Sequence, residues 1–399
     1  MSTKFKKLRL AQLVAHDRPI VYGIVQAGEH LPNGVPYIRS TDVGGRIEPN
    51  NLLKTSPGIA ARFGRSRVSP GDIVFSLRGN IGETSIVPDS LDGANLTQGT
   101  ARISINGEYS AAFVRYALSH TEVHRHILSV AKGSTFHEIT LEDLRNVELP
   151  LPPLPEQQRI ADILGTWDEA QEKLDALIAA KARRKQALMQ QLLAVAAQKI
   201  GHGHARHRLG EVVERVTRRN TVANDNVLTI SAQDGLINQR EYFNRNVAGA
   251  DLSGYFLLRR GEFAYNRSSS IGFPYGAIKR LDRYGAGVVS TLYLCFRIQD
   301  TAKVSSDYLA HYLDGGFLNA GLRSVAKEGA RAHGLLNITA DEFMDIDIFL
   351  PPLALQTKIA AVLDTADAEL RLLRQQRTAL DHQKRGLMQQ LLTGKVRVS

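Results

Sequence analysis

Residues 151 to 164 read LPPLPEQQRIADIL, and 199 residues further on Leu350 to Leu363 read LPPLALQTKIAAVL. A stretch this long does not recur by chance. The match continues without a gap to the run LMQQLL, found at 188–193 and again at 387–392. The same offset aligns Arg9-Leu10 with Arg208-Leu209 and Ile139-Thr140 with Ile338-Thr339. The chain is therefore two copies of one unit, each a variable block followed by a repeated block. Four segments follow: 1–150 and 200–349 are variable, 151–199 and 350–399 are repeated.

The repeated block has the pattern of a long helix. Pro152-Pro153 and Pro351-Pro352 stiffen its start, and apolar residues then recur at heptad spacing. In the central copy these are Ile160, Trp167, Leu174 and Leu188, with Leu164, Gln171 and Ile178 four residues after the first three. The distal copy repeats the seam as Ile359, Ala366, Leu373, Leu380 and Leu387, with Leu363, Leu370 and Arg377 between. Neither stretch has an internal proline, so each is expected to run about 38 residues, ~57 Å at 1.5 Å per residue. A lone helix of that length leaves its apolar stripe wet, so each is the other's natural partner. Both helices are acidic early (Asp162, Asp168, Glu169; Asp364, Asp367, Glu369) and basic late (Lys181, Arg183, Lys185; Lys384, Arg385), which favours antiparallel pairing. Such a pair is expected to hold the two variable blocks at opposite ends, related by a pseudo-two-fold axis.

Each variable block reads as α+β. GIVQAG, VPYIRSTDV, GDIVFSLRG, ETSIVP and TARISI alternate as strands in the first, before the helical AAFVRYALSHTEVHRHILSVA. VLTIS, GEFAYN, YGAIKRL and STLYLCFRI, then SDYLAHYLDGGFLNAGLRSVA, repeat this plan in the second. Thr140-Leu-Glu-Asp143 and Thr339-Ala-Asp-Glu342 each have the form of a box that caps a short helix. A duplicated frame with two different heads suits recognition of two different things at a fixed separation.

The formal charge of +10 favours an acidic partner such as nucleic acid, although no segment is a dense basic block. The start, MSTKFKKLRLAQLV, lacks the apolar core of a signal peptide, and no stretch approaches the ~18 apolar residues of a membrane span, so a cytoplasmic protein is expected. The single cysteine, Cys295, excludes an internal disulfide and reads as a small buried hydrophobe. Catalytic signatures are missing as well. Gly394-Lys395 lacks the upstream glycine and following hydroxyl of a phosphate-cradling loop, and no Asn-Pro-Pro or Asp-Pro-Pro step holds a flipped adenine. No Asp or Glu is followed two residues later by Lys, as a metal-dependent nuclease core requires. His202, His204 and His207 lie in a Gly-rich junction and read as linker, and His120 with His124 as a solvated helix face, so no metal or cofactor is expected.

GSTFHEITLEDLRNVELPLPPLPEQQRIADIL, with the later NITADEFMDIDIFLPPLALQTKIAAVL and the LMQQLL helix ends, resembles the specificity subunit of type I restriction-modification enzymes. The resemblance covers nearly the whole chain. It implies two target-recognition domains at 1–150 and 200–349, separated by a pair of long antiparallel coiled-coil helices. In such a protein the heads read the two halves of a split site on double-stranded DNA and the helices act as a ruler. Separate subunits supply adenine-N6 methylation and, in some systems, ATP-driven cleavage. The internal pseudo-symmetry offers two similar docking surfaces, so two methyltransferase subunits are expected per chain. The distal copy departs from the pattern, with Ala354-Leu355 in place of Pro155-Glu156, which loses an acidic first turn.

Candidate DNA contacts follow the strands. Arg78 and Asn80 follow DIVFS, while Asn266, Arg267, Ser268 and Ser269 follow EFAY; both loops offer an amide and a guanidinium to base edges, or else merely close a hairpin. Lys132, Ser134 and His137 precede the first capping box, and Arg331 and His333 the second, in loops suited to phosphate positioning. The competing reading of the whole chain is a coiled-coil scaffold that binds proteins and no DNA.

Overall fold

The computed structural model describes residues 5–132, 137–198, 205–231, 235–243, 251–269, 272–328 and 336–398. The chain forms two compact units: Met1–Asp175 with Gln375–Ser399, and Ala176–Arg374. Each is an α+β assembly built on the same plan.

In the first unit, four antiparallel strands run in the order Val21–Tyr22, Thr100–Ile103, Ile73–Ser76, Thr84–Ile86. The central strand Ile73–Ser76 is buried along its whole length, and strand alternation splits its side chains between two cores. Ile73 and Phe75 pack with Phe113, Tyr116 and Ala117 of the helix Ala111–Ser119, while Val74 joins Ile38, Val43, Leu52 and Leu96 on the other face. The second unit repeats the order as Val213–Arg215, Leu294–Ile298, Phe263–Asn266, Ala277–Arg280. Phe263 and Tyr265 there face Tyr308, Tyr312 and Phe343, while Ala264 faces Leu228, Leu258 and Cys295. Cys295 is 1% exposed, and burial pushes its thiol up to about 12.

An outer pair of strands closes each block in one register. Lys6–Arg9 lies antiparallel to Glu148–Leu151 with Lys6 opposite Leu151, and Ala205–Arg208 to Asp347–Leu350 with Ala205 opposite Leu350. Both threonines cap their helices, Thr140 accepting from the Asp143 amide at 3.1 Å and Thr339 from the Glu342 amide at 3.2 Å, but only the second closes a full box, its Glu342 carboxylate accepting from the Thr339 amide at 2.9 Å.

The repeated blocks are helices Leu154–Gln198 and Leu353–Leu391, of 45 and 39 residues. Within the first unit Asp168 pairs with Lys384 and Asp175 with Arg377; within the second Lys181 pairs with Glu369 and Lys185 with Asp367. One helix number rises as the other falls, so the helices are antiparallel in each unit. Several seam residues also serve the heads. Ile160 and Leu164 sit in the core with Phe113 and Leu391, with Leu387 packed against it, and Ile359 and Leu363 sit with Tyr308 and Leu193, with Leu188 alongside. Leu174 is buried, whereas Trp167 and Leu373 are half-buried.

The strand pattern differs from expectation in places. GIVQAG forms no strand; Ile24 makes a single bridge to Thr97, and at Gly23 any Cβ lies 1.9 Å from the Leu96 carbonyl oxygen. The predicted helix 111–131 breaks at His120, whose ψ of 138° is extended, giving Ala111–Ser119 and Thr121–Val130. His120 is not solvated: it is 5% exposed, with Nε2 2.9 Å from Gln389 Oε1. Phe256–Arg259 pairs with Ala286–Val289, a ladder beyond the strands expected from the sequence.

Candidate nucleic-acid interface

In the first unit the buried strand Ile73–Ser76 delivers the chain into a tight loop. The Ser76 amide donates to the Glu83 carbonyl, the Gly82 amide to the Ser76 carbonyl and the Glu83 amide to the Asn80 carbonyl, at 2.9 to 3.1 Å. Gly82 has a φ of +89°, and a Cβ there would sit 2.6 Å from the His124 ring. Only glycine lets the helix Thr121–Val130 approach this closely. Arg78 then bridges Glu138, and its guanidinium lies 2.9 Å from the Glu138 carboxylate. Lys132 pairs with the same residue through two 2.9 Å backbone bonds. The fold thus brings Arg78, Asn80, Lys132 and His137 together from segments more than 50 residues apart. Asn80 and His137 are exposed and line an open groove of about 750 Å³ with Glu83 and His124. Ser134 lies outside the described residues.

The matching loop in the second unit is built differently. Asn266 ends its strand and its Oδ1 accepts from the Ser268 amide at 3.1 Å, the bond of an Asx turn. Arg267 turns back into the protein: its guanidinium donates to the Leu292 carbonyl at 2.9 and 3.3 Å and to the Ile338 carbonyl at 2.8 Å, while the Leu336 amide donates to the Arg267 carbonyl. Arg267 therefore fastens the loop to the segment before the capping box. Asn266 and Ser268 are half-buried and Ser269 is exposed. Arg331 and His333 lie outside the described residues, as do His202 and His204. Among the described residues no group of three or more His, Cys, Asp or Glu is placed to hold a metal ion, and no helix is long and apolar enough to cross a membrane.

The repeated block contributes contacts that heptad reasoning passed over. Gln157 and Gln356 occupy one position of the repeat and are each 1% exposed. Each side-chain amide donates back to a proline carbonyl, of Pro152 and Pro351, at 2.8 Å. Each Oε1 accepts from the amide of the serine that caps the neighbouring helix, Ser110 at 3.0 Å and Ser305 at 2.9 Å. The Pro-Pro start is thus a docking device that locks each long helix to its head. The signal was present in the sequence, since both glutamines survive the divergence of the two copies.

Asp168 and Lys384 show a second use of the repeat. Asp and Lys stand at the same places in both copies, 168 and 185 in the first, 367 and 384 in the second. Antiparallel packing pairs the Asp of one copy with the Lys of the other, giving Asp168–Lys384 in the first unit and Asp367–Lys185, at 2.6 Å, in the second. Around Asp168 stand Tyr116, which donates to it, and Arg115 at 2.8 Å. Burial raises the Asp168 carboxyl, but the bonds from Lys384 and Tyr116 outweigh it and hold the group below the usual carboxylate range. In the second unit His311 takes the tyrosine's place, 2.8 Å from Asp364. Glu156, lost as Leu355 in the distal copy, also has a structural partner: Arg397 forks onto it with two 2.7 Å bonds, and the Val398 amide donates at 3.3 Å. Where the repeat departs from itself, the C-terminal residues are being held.

Residues 24–181 match the family model described as "Type I restriction modification DNA specificity domain". That segment holds the Arg78 loop, the groove, the Thr140 helix cap and the Pro-Pro start. Among similar curated proteins, the type I restriction enzyme EcoBI specificity subunit of Escherichia coli is 32% identical over 155 residues, 38% of this chain and 32% of that protein. The putative type I restriction enzyme MjaX specificity subunit of Methanocaldococcus jannaschii is 34% identical over 137 residues, 34% of this chain and 30% of that one. The chain thus spans about a third of the length of the curated relatives it matches. Two solved structures extend the likeness in fold to nearly the full length. The type I restriction-modification S subunit from M. genitalium superposes with a TM-score of 0.57 at 14% identity, covering 97% of this chain and 96% of that one. A chain from a study of complex assembly and conformational transition of the type I system gives 0.55 at 18% identity, covering 98% of each. The two units share the strand order, the threonine helix cap and the buried glutamine described above.

Proposed function

We propose that this chain is the DNA sequence-recognition subunit of a type I restriction-modification system, working in the cytoplasm and without catalytic activity of its own. Residues 1–150 and 200–349 serve as its two target-recognition domains, each binding one half of an asymmetric split site on double-stranded DNA. The helical segments 151–199 and 350–399 serve as spacer and as docking surface for two adenine-N6 methyltransferase subunits. ATP-dependent restriction subunits are a further partner class in systems that also cleave.

One observation carries this reading. Two units keep the same strand order, buried glutamine and Asp–Lys pair, yet their equivalent loops differ, Arg78 facing a surface carboxylate and Arg267 fastened to carbonyls. A conserved frame with divergent loops is what two unlike half-sites require. The specificity-domain match at 24–181 supports the DNA assignment over a protein-binding scaffold.

The test is to sequence methylated adenines in a host with and without this gene, its methyltransferase partner being present in both. A modified, asymmetric two-part motif that disappears with the gene is expected. Methylation that persists unchanged, or methyl transfer by the isolated chain with S-adenosylmethionine, would refute the proposal.

A further inference from the structure

The groove beside the Arg78 loop has an unusual lining for a protein surface that meets DNA. Among its described lining residues there is neither lysine nor arginine. Asn80, Glu83, His124 and His137 supply its polar groups, and Val43 and Leu128 its apolar ones. The cations stand at the side: Arg78 is ion-paired with Glu138, and Lys132 bridges the same residue. Phosphates are bound by Lys, Arg and backbone amides, so this groove is unsuited to a phosphate. Amide, imidazole, carboxylate and methyl groups are what base edges in a major groove match.

Glu83 is the informative member. It is exposed, its backbone is fixed at both amide and carbonyl by the loop, and its carboxylate has no hydrogen bond or ion pair among the described residues. It lies over Gly44, where a Cβ would sit 3.2 Å from Oε2 and where φ is +121°, so the space beside the carboxylate is kept open by glycine. An unpaired carboxylate repels the DNA backbone. Facing a bound duplex, it gains most where it accepts a hydrogen bond from a base.

Resting on the reading of the first unit as a DNA-binding head, we propose that Glu83 is a specificity-determining residue that selects cytosine at one position of the first half-site. The base chemistry narrows the choice. Guanine presents O6 and N7 and thymine presents O4 in the major groove, all acceptors that a carboxylate repels. Adenine offers its N6 amino group but places N7, an acceptor, beside it. Cytosine offers N4 with no acceptor adjacent on the same base. Asn80 and His124 stand in the same groove to contact neighbouring positions.

The experiment is a binding selection on DNA duplexes carrying two randomised segments. It uses the full chain, alone and together with the methyltransferase subunits expressed alongside it, as wild type, Glu83→Ala and Glu83→Gln. Glu83→Ala should lose preference for cytosine at a single position of one half-site by about 10-fold, leaving every other position intact. Its affinity for random duplex should stay level or rise, since a negative charge has gone, which distinguishes lost reading from damaged folding. Glu83→Gln should shift that position toward adenine, because an amide pairs with N6 and N7 together. Variants that keep the wild-type preference at every position, or that weaken all sequences equally, would overturn the inference while leaving the proposed function in place. A wild-type chain that selects no sequence in either form would instead overturn the proposed function, and this inference with it.

Discussion

Gln171 tests whether the helix seam is under tension between stability and polarity. It occupies a heptad position in the first unit, is 8% exposed, and its Nε2 finds no hydrogen-bond partner among the described residues. The second copy has Leu370 at the same place, 4% exposed. Burying an amide nitrogen without a partner costs about 1–3 kcal/mol, and leucine is close to glutamine in volume, so Gln171→Leu should recover most of that cost. For a unit of this size, each kcal/mol moves the melting temperature by about 2–4 °C, which predicts a rise of ~2–10 °C. The reverse change, Leu370→Gln, loses about 2 kcal/mol of apolar burial and adds an orphan amide, so the second unit should fall by roughly 3–5 kcal/mol. Calorimetry of the full chain gives the shifts, and hydrogen exchange of peptides from 160–175 assigns them to the first unit. If Gln171→Leu lowers the melting temperature, the amide is satisfied and the reasoning fails. If it leaves the temperature unchanged but yields mixed oligomers, Gln171 acts on helix register instead, as single polar seam residues do.

Asp168→Asn should cost about 1–3 kcal/mol, because Lys384, whose side chain is 14% exposed, loses its partner. The Asp168 carboxyl is held below its ordinary 3.8, so the stability it contributes is present above that pH and disappears as the pH falls through the folded value. Melting curves of parent and variant should therefore converge on acidification below 3.8 and stay apart above it; a gap independent of pH would exclude the charge as the cause. Glu156→Leu, which copies the distal repeat, should release Arg397 and Val398 and speed the hydrogen exchange of peptides that contain them, with the helix cap at Thr140 still protected. Arg267→Ala should lower the melting temperature of the second unit, since three bonds to the Leu292 and Ile338 carbonyls go, and a duplex selection then decides its role: full preference in both half-sites would remove Arg267 from the base contacts. Lys132→Ala, by contrast, should weaken binding to all duplexes and reduce the salt slope by about one charge; loss confined to one base position would reassign it.

The sequence alone determined what is local or repeated. Heptad spacing gives the helices, threonine followed three residues on by a carboxylate gives the caps, and a constant offset gives the duplication, because each depends on short-range geometry that recurs along the chain. Even the antiparallel pairing was legible, from acid early and base late in both helices. Tertiary structure alone decided which side chains meet. Gly82 against the His124 ring, Arg78 against Glu138 and Arg267 against Ile338 join segments 42 to 71 residues apart, contacts that no periodicity encodes. The same holds for His120, which reads as one more polar residue on a helix until the helix breaks there and buries it against Gln389. The same holds for Glu83: an exposed glutamate after a strand is ordinary in sequence, and the fold places it in a groove whose described lining has no lysine or arginine to pair it.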